Sequence, residues 1–521
     1  MDSEVGQGGI DRPKSFNMAV VEKPQIVGSQ QFISDRAKQI CKARGEIFLN
    51  TAAGRAWRIK GIVDFGVSEN KLMFDVFEKK LAEPKIQTLA PHMLFYDVMA
   101  GNLRFRGALA EFLTERLNAA KPLDPKNVRV CNGAGPMMEL VASSIGDPGD
   151  CLMMPMPCYG GVFWDVGGRA EINVVPVHLT SKMEEGDTMP FQLTAKKIED
   201  TYNKATAEGK KIVGILLINP HNPLGDIYSA ELIMDILNVC HRHSLHVIMD
   251  EIYMMSIFDT EAKFTSVLSL PNIPDPQRVH LVWGFAKDFC MSGMRCGVLY
   301  SVNEAVNKAV DALVYFNMIP GPIQHVLTEI VLDKEWLDNV FIPTKYSRMR
   351  EARSYMCDKL SALGIPVRKS PSGLYIWADF RKYIQPLTPE NELVLFEKFM
   401  DAGVYLTPGI EAFNCGEPGF FRMVFTVYRD HLEVGMERIA AVLKDCAENG
   451  LTKPQADNAE APTSADVKEE SLEDLLGLLQ GRISSSGWLE ETRTQNWATQ
   501  NPEALEQFKQ AMKSQEGFGD K

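Results

Sequence analysis

Three short apolar runs constrain the architecture more than anything else in the chain: "GILLINP" (214–220), "LHVIMDE" (245–251) and "VHLVWG" (279–284). Each is of strand length, rich in Ile, Val and Leu, and lacks the alternation of a half-exposed sheet. Between the first two, "SAELIMDILNVCHRH" sets Ile233, Ile236, Leu237 and Cys240 at i, i+3, i+4 and i+7, one apolar helical face. Strand, helix and strand in succession make a βαβ unit, and near-continuous apolar strands suit a sheet covered on both faces. The predicted fold class is α/β, with a doubly wound, mostly parallel sheet.

Composition narrows the function classes. A net charge of -13 and the lack of any Lys/Arg cluster argue against a nucleic-acid partner. Residues 448–521 hold 14 acidic against 7 basic side chains, so this tail carries -7 of the -13. With "KPQADNAEAPTSADVKEE" it reads as a disordered tail. Inside it "SLEDLLGLLQ" has the spacing of a short leucine-rich helix that either folds back on its own domain or docks on a protein partner. Residues 1–30 read as a flexible arm. Ten cysteines without CxxC pairs, a start without an apolar leader, and no apolar run near the roughly 20 residues a bilayer requires make a reduced, cytoplasmic, non-membrane chain the expectation.

In doubly wound sheets ligands lie beyond the carboxyl ends of the strands. There the sequence has Asn219 and Asn222, then Asp250, then Lys287 in "GFAKDFCMSGMRCG" (284–297), with Arg295 eight residues further on. In "NVRVCNGAGPMMELV" (127–141) a strand passes through Gly133 and Gly135 to Pro136 and an apolar helix, a glycine loop feeding a helix N-terminus. Each feature alone has a plainer reading: a turn glycine, an Asn222 bonding its own backbone, a helix-capping Asp250, a solvated Lys287, a surface Arg295. Together they meet the needs of pyridoxal 5'-phosphate. Its aldehyde takes a lysine, its ring nitrogen a carboxylate, and its phosphate an arginine and a helix N-terminus. No metal site is indicated.

The order and spacing of "NPHNPLG", "DEIY", "AKDFCMSGMRCG" and "GFFRMVF" resemble the fold-type I superfamily of PLP-dependent aminotransferases (class I/II). More closely they resemble its 1-aminocyclopropane-1-carboxylate synthase group, especially the animal synthase-like members. The resemblance runs from about Phe32 to Leu443. It implies the PLP-dependent transferase fold of type I: a large cofactor-binding domain over 91–330, and a smaller α+β domain combining 31–90 with 331–447. "PSGLYIWADF" and "GFFRMVF" would be strands of the smaller one. By the same resemblance Lys287 holds the cofactor as a Schiff base and shuttles the substrate's α-proton. Asp250 pairs with the ring nitrogen, Tyr253 and Asn222 bond the ring's phenolic oxygen, and Tyr159 of "PCYGG" stacks on the ring. Arg295 and the backbone amides of Ala134 and Gly135 hold the phosphate, and Arg422 takes the substrate carboxylate. Glu69 of "GVSENKL" stands where the synthases place a glutamate near the substrate amine; its plainer reading is a surface residue of a turn.

The chain also departs from the group. Gly284 and Ala286 stand where relatives have serines, Gly135 where they have a threonine, Met99 where a tyrosine reaches the neighbouring subunit's phosphate, and Trp164 where plant enzymes carry a basic residue. Each hydrogen bond lost to a charged phosphate is worth about 1.5–3 kcal/mol. The expectation is a homodimeric enzyme acting on a small-molecule amino acid, a transaminase or an aminocyclopropane-carboxylate synthase-like lyase. The alternative is a PLP-binding pseudoenzyme or interaction protein. A nucleotide-binding dehydrogenase is disfavoured because no G-x-G-x-x-G follows a first strand.

Overall fold

The structure is a computed structural model describing residues 61–184 and 186–452, with Ser34 beside them. The N-terminal arm and the leucine-rich segment of the acidic tail lie outside the described residues. Twelve strands are described: β1 (Val63–Asp64), β2 (Val128–Cys131), β3 (Cys151–Met156), β4 (Asn173–His178), β5 (Ile212–Ile218), β6 (His246–Asp250), β7 (Val279–Gly284), β8 (Gly297–Ser301), β9 (Tyr375–Asp379), β10 (Val404–Tyr405), β11 (Thr407–Pro408) and β12 (Phe420–Val424).

The three apolar runs become β5, β6 and β7, the middle of a seven-stranded sheet ordered β2-β8-β7-β6-β5-β3-β4. Every neighbouring pair is parallel except those involving β8, which runs antiparallel to both β2 and β7. All residues of β3 and β7 are buried, as a sheet with helices on both faces requires. The predicted α/β class therefore holds. The helix expected between β5 and β6 is Ala230–Arg242. Ser229 starts it by accepting a hydrogen bond from the Leu232 amide at 3.2 Å. It buries Ile233, Ile236, Leu237 and Cys240, together with Val239. At about 1.5–3 kcal/mol per large side chain, this burial outweighs any propensity difference along the helix.

Two local features position the site. After β2 the chain turns at Gly133, whose φ of 135° favours glycine, into the helix Ala134–Ile145. After β7 a single turn, Phe285–Asp288, carries Lys287. That turn rests on an aromatic floor: Trp283–Phe285 at 4.9 Å, Phe285–Phe289 at 5.1 Å, and Phe289 stacked on Phe341 at 5.3 Å. Asp288, the next residue, is itself buried, accepting from Trp283 Nε1 at 3.0 Å and Ser256 Oγ at 2.8 Å, while its backbone carbonyl accepts from the buried Lys345 at 2.8 Å. The lysine is thus presented from a rigid base.

The strands expected in 371–380 and at "GFFRMVF" are β9 and β12, which pair antiparallel, with β11 on the far side of β12. Arg422 lies in the middle strand of these three, opposite Trp377 and Thr407. β1 pairs parallel with β10, bringing residues 63–71 back beside this sheet. Among the described residues no helix is long and apolar enough to cross a membrane.

Candidate active site

Asp250 ends β6 and Lys287 follows the end of the adjacent β7, so strand order alone makes them neighbours. Asp250 is 3% exposed; its Oδ1 accepts from the Ile252 amide at 3.0 Å. Burial pushes its carboxyl up to about 7, against the pull of that hydrogen bond. A protonated ring nitrogen is the kind of cationic partner that such a withdrawn carboxylate favours. Lys287 Nζ donates to the Ser68 carbonyl at 2.5 Å. Withdrawal from water pushes its ammonium down to about 8, with Arg422 and Arg295 adding to the effect and Glu69 and Asp250 opposing it. This is an amine available as a base near neutral pH, unlike a solvated surface lysine.

Arg422 is buried between Tyr375 and Phe413, whose ring centres lie 5.2 and 4.9 Å from its guanidinium carbon. Nη1 donates to Asn222 Oδ1 at 3.0 Å and Nη2 to the Gly66 carbonyl, while Nε is buried without a partner. An orphaned guanidinium N–H inside a crevice fits an incoming carboxylate. Asn222 thus anchors Arg422 by its oxygen, leaving its amide N–H groups as the donors the ring oxygen would need. Asn219, at the same strand end, is structural: its amide bonds Thr265 O and the Tyr228 amide, both at 3.0 Å. The buried Tyr253 meets Ser68 Oγ at 3.1 Å and stands edge-on to Tyr375.

Tyr159 stays 38% exposed at the crevice mouth. Its hydroxyl lies over Gly161, where a Cβ would come within 2.1 Å of it, and Gly160 leaves room for the Ala412 carbonyl. Its phenol is pushed well above the ordinary range by Asp165 and by burial, with Tyr253 and Asp250 contributing. Arg295 lies against the glycine loop: its Nη2 is 2.6 Å from where a Gly133 side chain would begin. The first amides of the following helix, at Ala134 and Gly135, have no side-chain cap and no acceptor among the described residues. A guanidinium beside bare helix amides fits a phosphate. Glu69 is partly buried and accepts a hydrogen bond from Ser292 Oγ, while Thr426 Oγ1 donates to its carbonyl at 2.8 Å; it is no loose surface residue.

The structure brings the sequence-derived site residues together: Lys287 has Arg422, Glu69, Arg295 and Asp250 around it, Tyr159 has Tyr253, Asp250 and Arg422, Asn222 bonds Arg422, and Arg295 adjoins the turn that leads into Ala134 and Gly135. Sequence reasoning missed Ser68, Ser292, Tyr375 and Asp165, which complete the site. Two of the lost hydroxyls stand where space is taken. A side chain at Gly284 would strike the Cys296 carbonyl at 2.6 Å, and one at Gly135 would strike Asp165 Oδ1 at 2.7 Å.

A strand-end lysine, a buried carboxylate and an arginine-bearing anion cradle on this sheet define a pyridoxal 5'-phosphate fold of type I. The profile of the family "Aminotransferase class I and II" matches residues 60–439, and the chain belongs to that PLP-dependent family. Within it the similarity is to the synthase-like branch. The chain is 40% identical over 384 residues to 1-aminocyclopropane-1-carboxylate synthase-like protein 1 of Mus musculus, covering 74% of this chain and 76% of the mouse protein. It is also 40% identical over 397 residues to the Homo sapiens protein named probable inactive 1-aminocyclopropane-1-carboxylate synthase-like protein 2, covering 76% and 70%. A Thermus thermophilus aspartate aminotransferase mutant shares the fold, with a TM-score of 0.62 and 21% identity over 79% of this chain and 99% of that one.

Proposed function

We propose that this chain is a catalytically active PLP-dependent enzyme that removes the α-proton of a small-molecule amino acid and continues as a transaminase or as a synthase-like lyase. The observation that carries this reading is the convergence of the Lys287 amine, the Asp250 carboxylate and the Arg422 guanidinium, each withdrawn from water, with Nε of Arg422 unpartnered. When bound, the cofactor supplies an electron sink that acidifies the substrate's α-hydrogen. Asp250 keeps the ring nitrogen protonated. Arg422 fixes the substrate carboxylate, with Asn222 fixing Arg422. Tyr253 and the Asn222 amide orient the ring, and Tyr159 covers it. Arg295 and the amides of Ala134 and Gly135 hold the phosphate. Lys287 Nζ takes and returns the α-proton, which its lowered pKa suits. Incubation with amino-acid and keto-acid pairs should yield the exchanged keto acid; cofactor bound without any amino-acid chemistry would overturn the reading.

Two observations favour neighbouring readings. Glu69, fixed by Ser292 beside Lys287, favours an eliminating lyase of the synthase-like kind, which product analysis with S-adenosylmethionine separates from transamination. The missing hydroxyls at 135, 284 and 286, and the name of the human relative quoted above, favour a cofactor-binding protein with little turnover.

The lysine's environment sets a pH dependence. The amine must be uncharged to attach to the aldehyde, and its pKa is about 8. Below that value the rate of cofactor attachment is expected to rise about tenfold per pH unit, then level off above it. A rate flat from pH 6 to 8 in a rapid-mixing experiment would contradict this environment.

The large domain of 91–330 and the composite small domain of 31–90 with 331–447 are proposed as the working division; β2 to β8 fall in the first, and β1 and β9 to β12 in the second. Free thiols at all nine described cysteines suit a cytoplasmic location. A homodimer is proposed from an apolar surface unusual for a lone chain: Leu94, Phe95, Tyr96 and Leu103 in one segment and Phe316 in another are all more than 70% exposed. The two segments are neighbours, Gly321 lying against the Met93 carbonyl. Sedimentation at micromolar concentration should give twice the 58.2 kDa chain mass, and a single-chain mass there would count against it.

A further inference from the structure

The carboxyl of Asp165 stands in the space that residue 135 leaves empty. A Cβ at Gly135 would lie 2.7 Å from its Oδ1, 3.1 Å from its Cγ and 3.2 Å from its Oδ2. Gly135 belongs to the first turn of the helix Ala134–Ile145, whose leading amides are uncapped, and Arg295 adjoins that turn at Gly133. Asp165 Oδ2 is buried and has no hydrogen-bond partner. A buried carboxyl oxygen without a partner, at the rim of an anion cradle, is accounted for by no contact within the described residues.

The charged and titratable groups facing Asp165 come from four directions. Glu139 lies on the helix Ala134–Ile145 and is itself engaged by Arg169 at 2.8 Å. Arg295 comes from the turn before β8, Tyr159 from the loop after β3, and Asp250 from the end of β6. Burial pushes the Asp165 carboxyl up to about 7, with Glu139 adding to this and Arg295 opposing it. An ionised carboxylate here repels a phosphate. A protonated one has an O–H to donate.

We propose that Asp165, carrying a proton, donates a hydrogen bond to the phosphate of the bound cofactor, standing in for the hydroxyl that this chain lacks at position 135. The inference rests on the reading of Arg295 and residues 133–135 as the phosphate site. The bound state then holds one more proton than the free chain at any pH where free Asp165 is ionised. Cofactor affinity therefore weakens as pH rises above about 7, by up to about tenfold per pH unit. Asp165→Asn keeps a donor at every pH, and Asp165→Ala removes it. The cofactor's own phosphate ionisation affects all three proteins alike and cancels in the comparison.

The test is equilibrium binding of pyridoxal 5'-phosphate, and separately of pyridoxal without the phosphate, to the full chain, Asp165→Asn and Asp165→Ala between pH 6 and 8.5. The dissociation constant of the wild type relative to Asp165→Asn should rise about tenfold or more from pH 6 to 8.5. Asp165→Ala should bind the phosphate form about tenfold more weakly than wild type at pH 6. Pyridoxal should bind all three equally, which also reports that the variants are folded. Superposable pH curves for wild type and Asp165→Asn, or equal changes for pyridoxal and its phosphate, overturn the proposal. If wild type attaches the cofactor to Lys287 and shows no such gap, only this inference falls. If wild type does not attach it at all, the reading of the site falls and takes the inference with it.

Discussion

Lys287→Ala is expected to leave a chain that no longer holds pyridoxal 5'-phosphate covalently and processes amino acids about 10²–10⁴-fold more slowly, the usual contribution of a positioned proton-transfer group. Borohydride treatment followed by peptide mass should find the cofactor on the peptide containing Lys287 in wild type and on no peptide of the variant. The fold should survive, because the turn that carries Lys287 is anchored by Phe285, Phe289 and Asp288 rather than by the lysine. Among the described residues the hydrogen bond removed is the one to the Ser68 carbonyl. A variant retaining full activity would exclude Lys287 from the chemistry.

Arg422→Met should cost nearly as much, by a different route. Arg422 reaches the crevice from β12, held by Asn222 and the Gly66 carbonyl and flanked by Tyr375 and Phe413. Removing one side of a buried, hydrogen-bonded charge pair costs about 2–5 kcal/mol, or roughly 30- to 5,000-fold in kcat/KM. The loss should fall mainly on KM, because the carboxylate is bound before and during proton transfer alike, while cofactor attachment to Lys287 should be unchanged. Steady-state kinetics with a keto-acid acceptor reads this split. A fall in kcat with KM preserved would mean that Arg422 contacts something other than the substrate carboxylate. Arg422→Lys should be no rescue, since a point charge cannot supply two parallel N–H donors.

Much of this was readable from the sequence for reasons that particular residues show. β5, β6 and β7 are buried on both faces, so their apolar runs are nearly unbroken and the sheet announces itself. Asp250 and Lys287 were legible because chemistry in such sheets gathers at carboxyl strand ends, and adjacent parallel strands bring those ends together. Arg422 and Glu69 came only through motif resemblance; neither has a local pattern that marks it. The contacts that fix the site were not legible at all. Tyr253 meets Ser68 across 185 positions and Ser292 meets Glu69 across 223, and no periodicity reports a pairing that the tertiary fold creates.

Absence of a hydroxyl was legible at Gly284 and Gly135, yet its reason was not. The Cys296 carbonyl crowds one position and the Asp165 carboxyl fills the other, and both intrusions come from elements distant in sequence or from an adjacent strand. Asp165 itself sits in a four-residue helix, too short for any apolar period to single it out. In the "NPHNPLG" run Asn219 and Asn222 look equivalent by pattern alone, and the fold separates them: the first is spent on the loop backbone and only the second bonds Arg422.

The central claim is that Lys287, set beside Asp250 and opposite Arg422, moves the α-proton of an amino acid. Its most direct test is proton NMR of amino acids incubated in D₂O with the cofactor-loaded wild-type chain, with Lys287→Ala alongside. The account expects the α-hydrogen signal of at least one amino acid to disappear with the wild type and to persist with the variant. A wild-type chain that carries the cofactor on Lys287 and yet exchanges the α-hydrogen of none would contradict it.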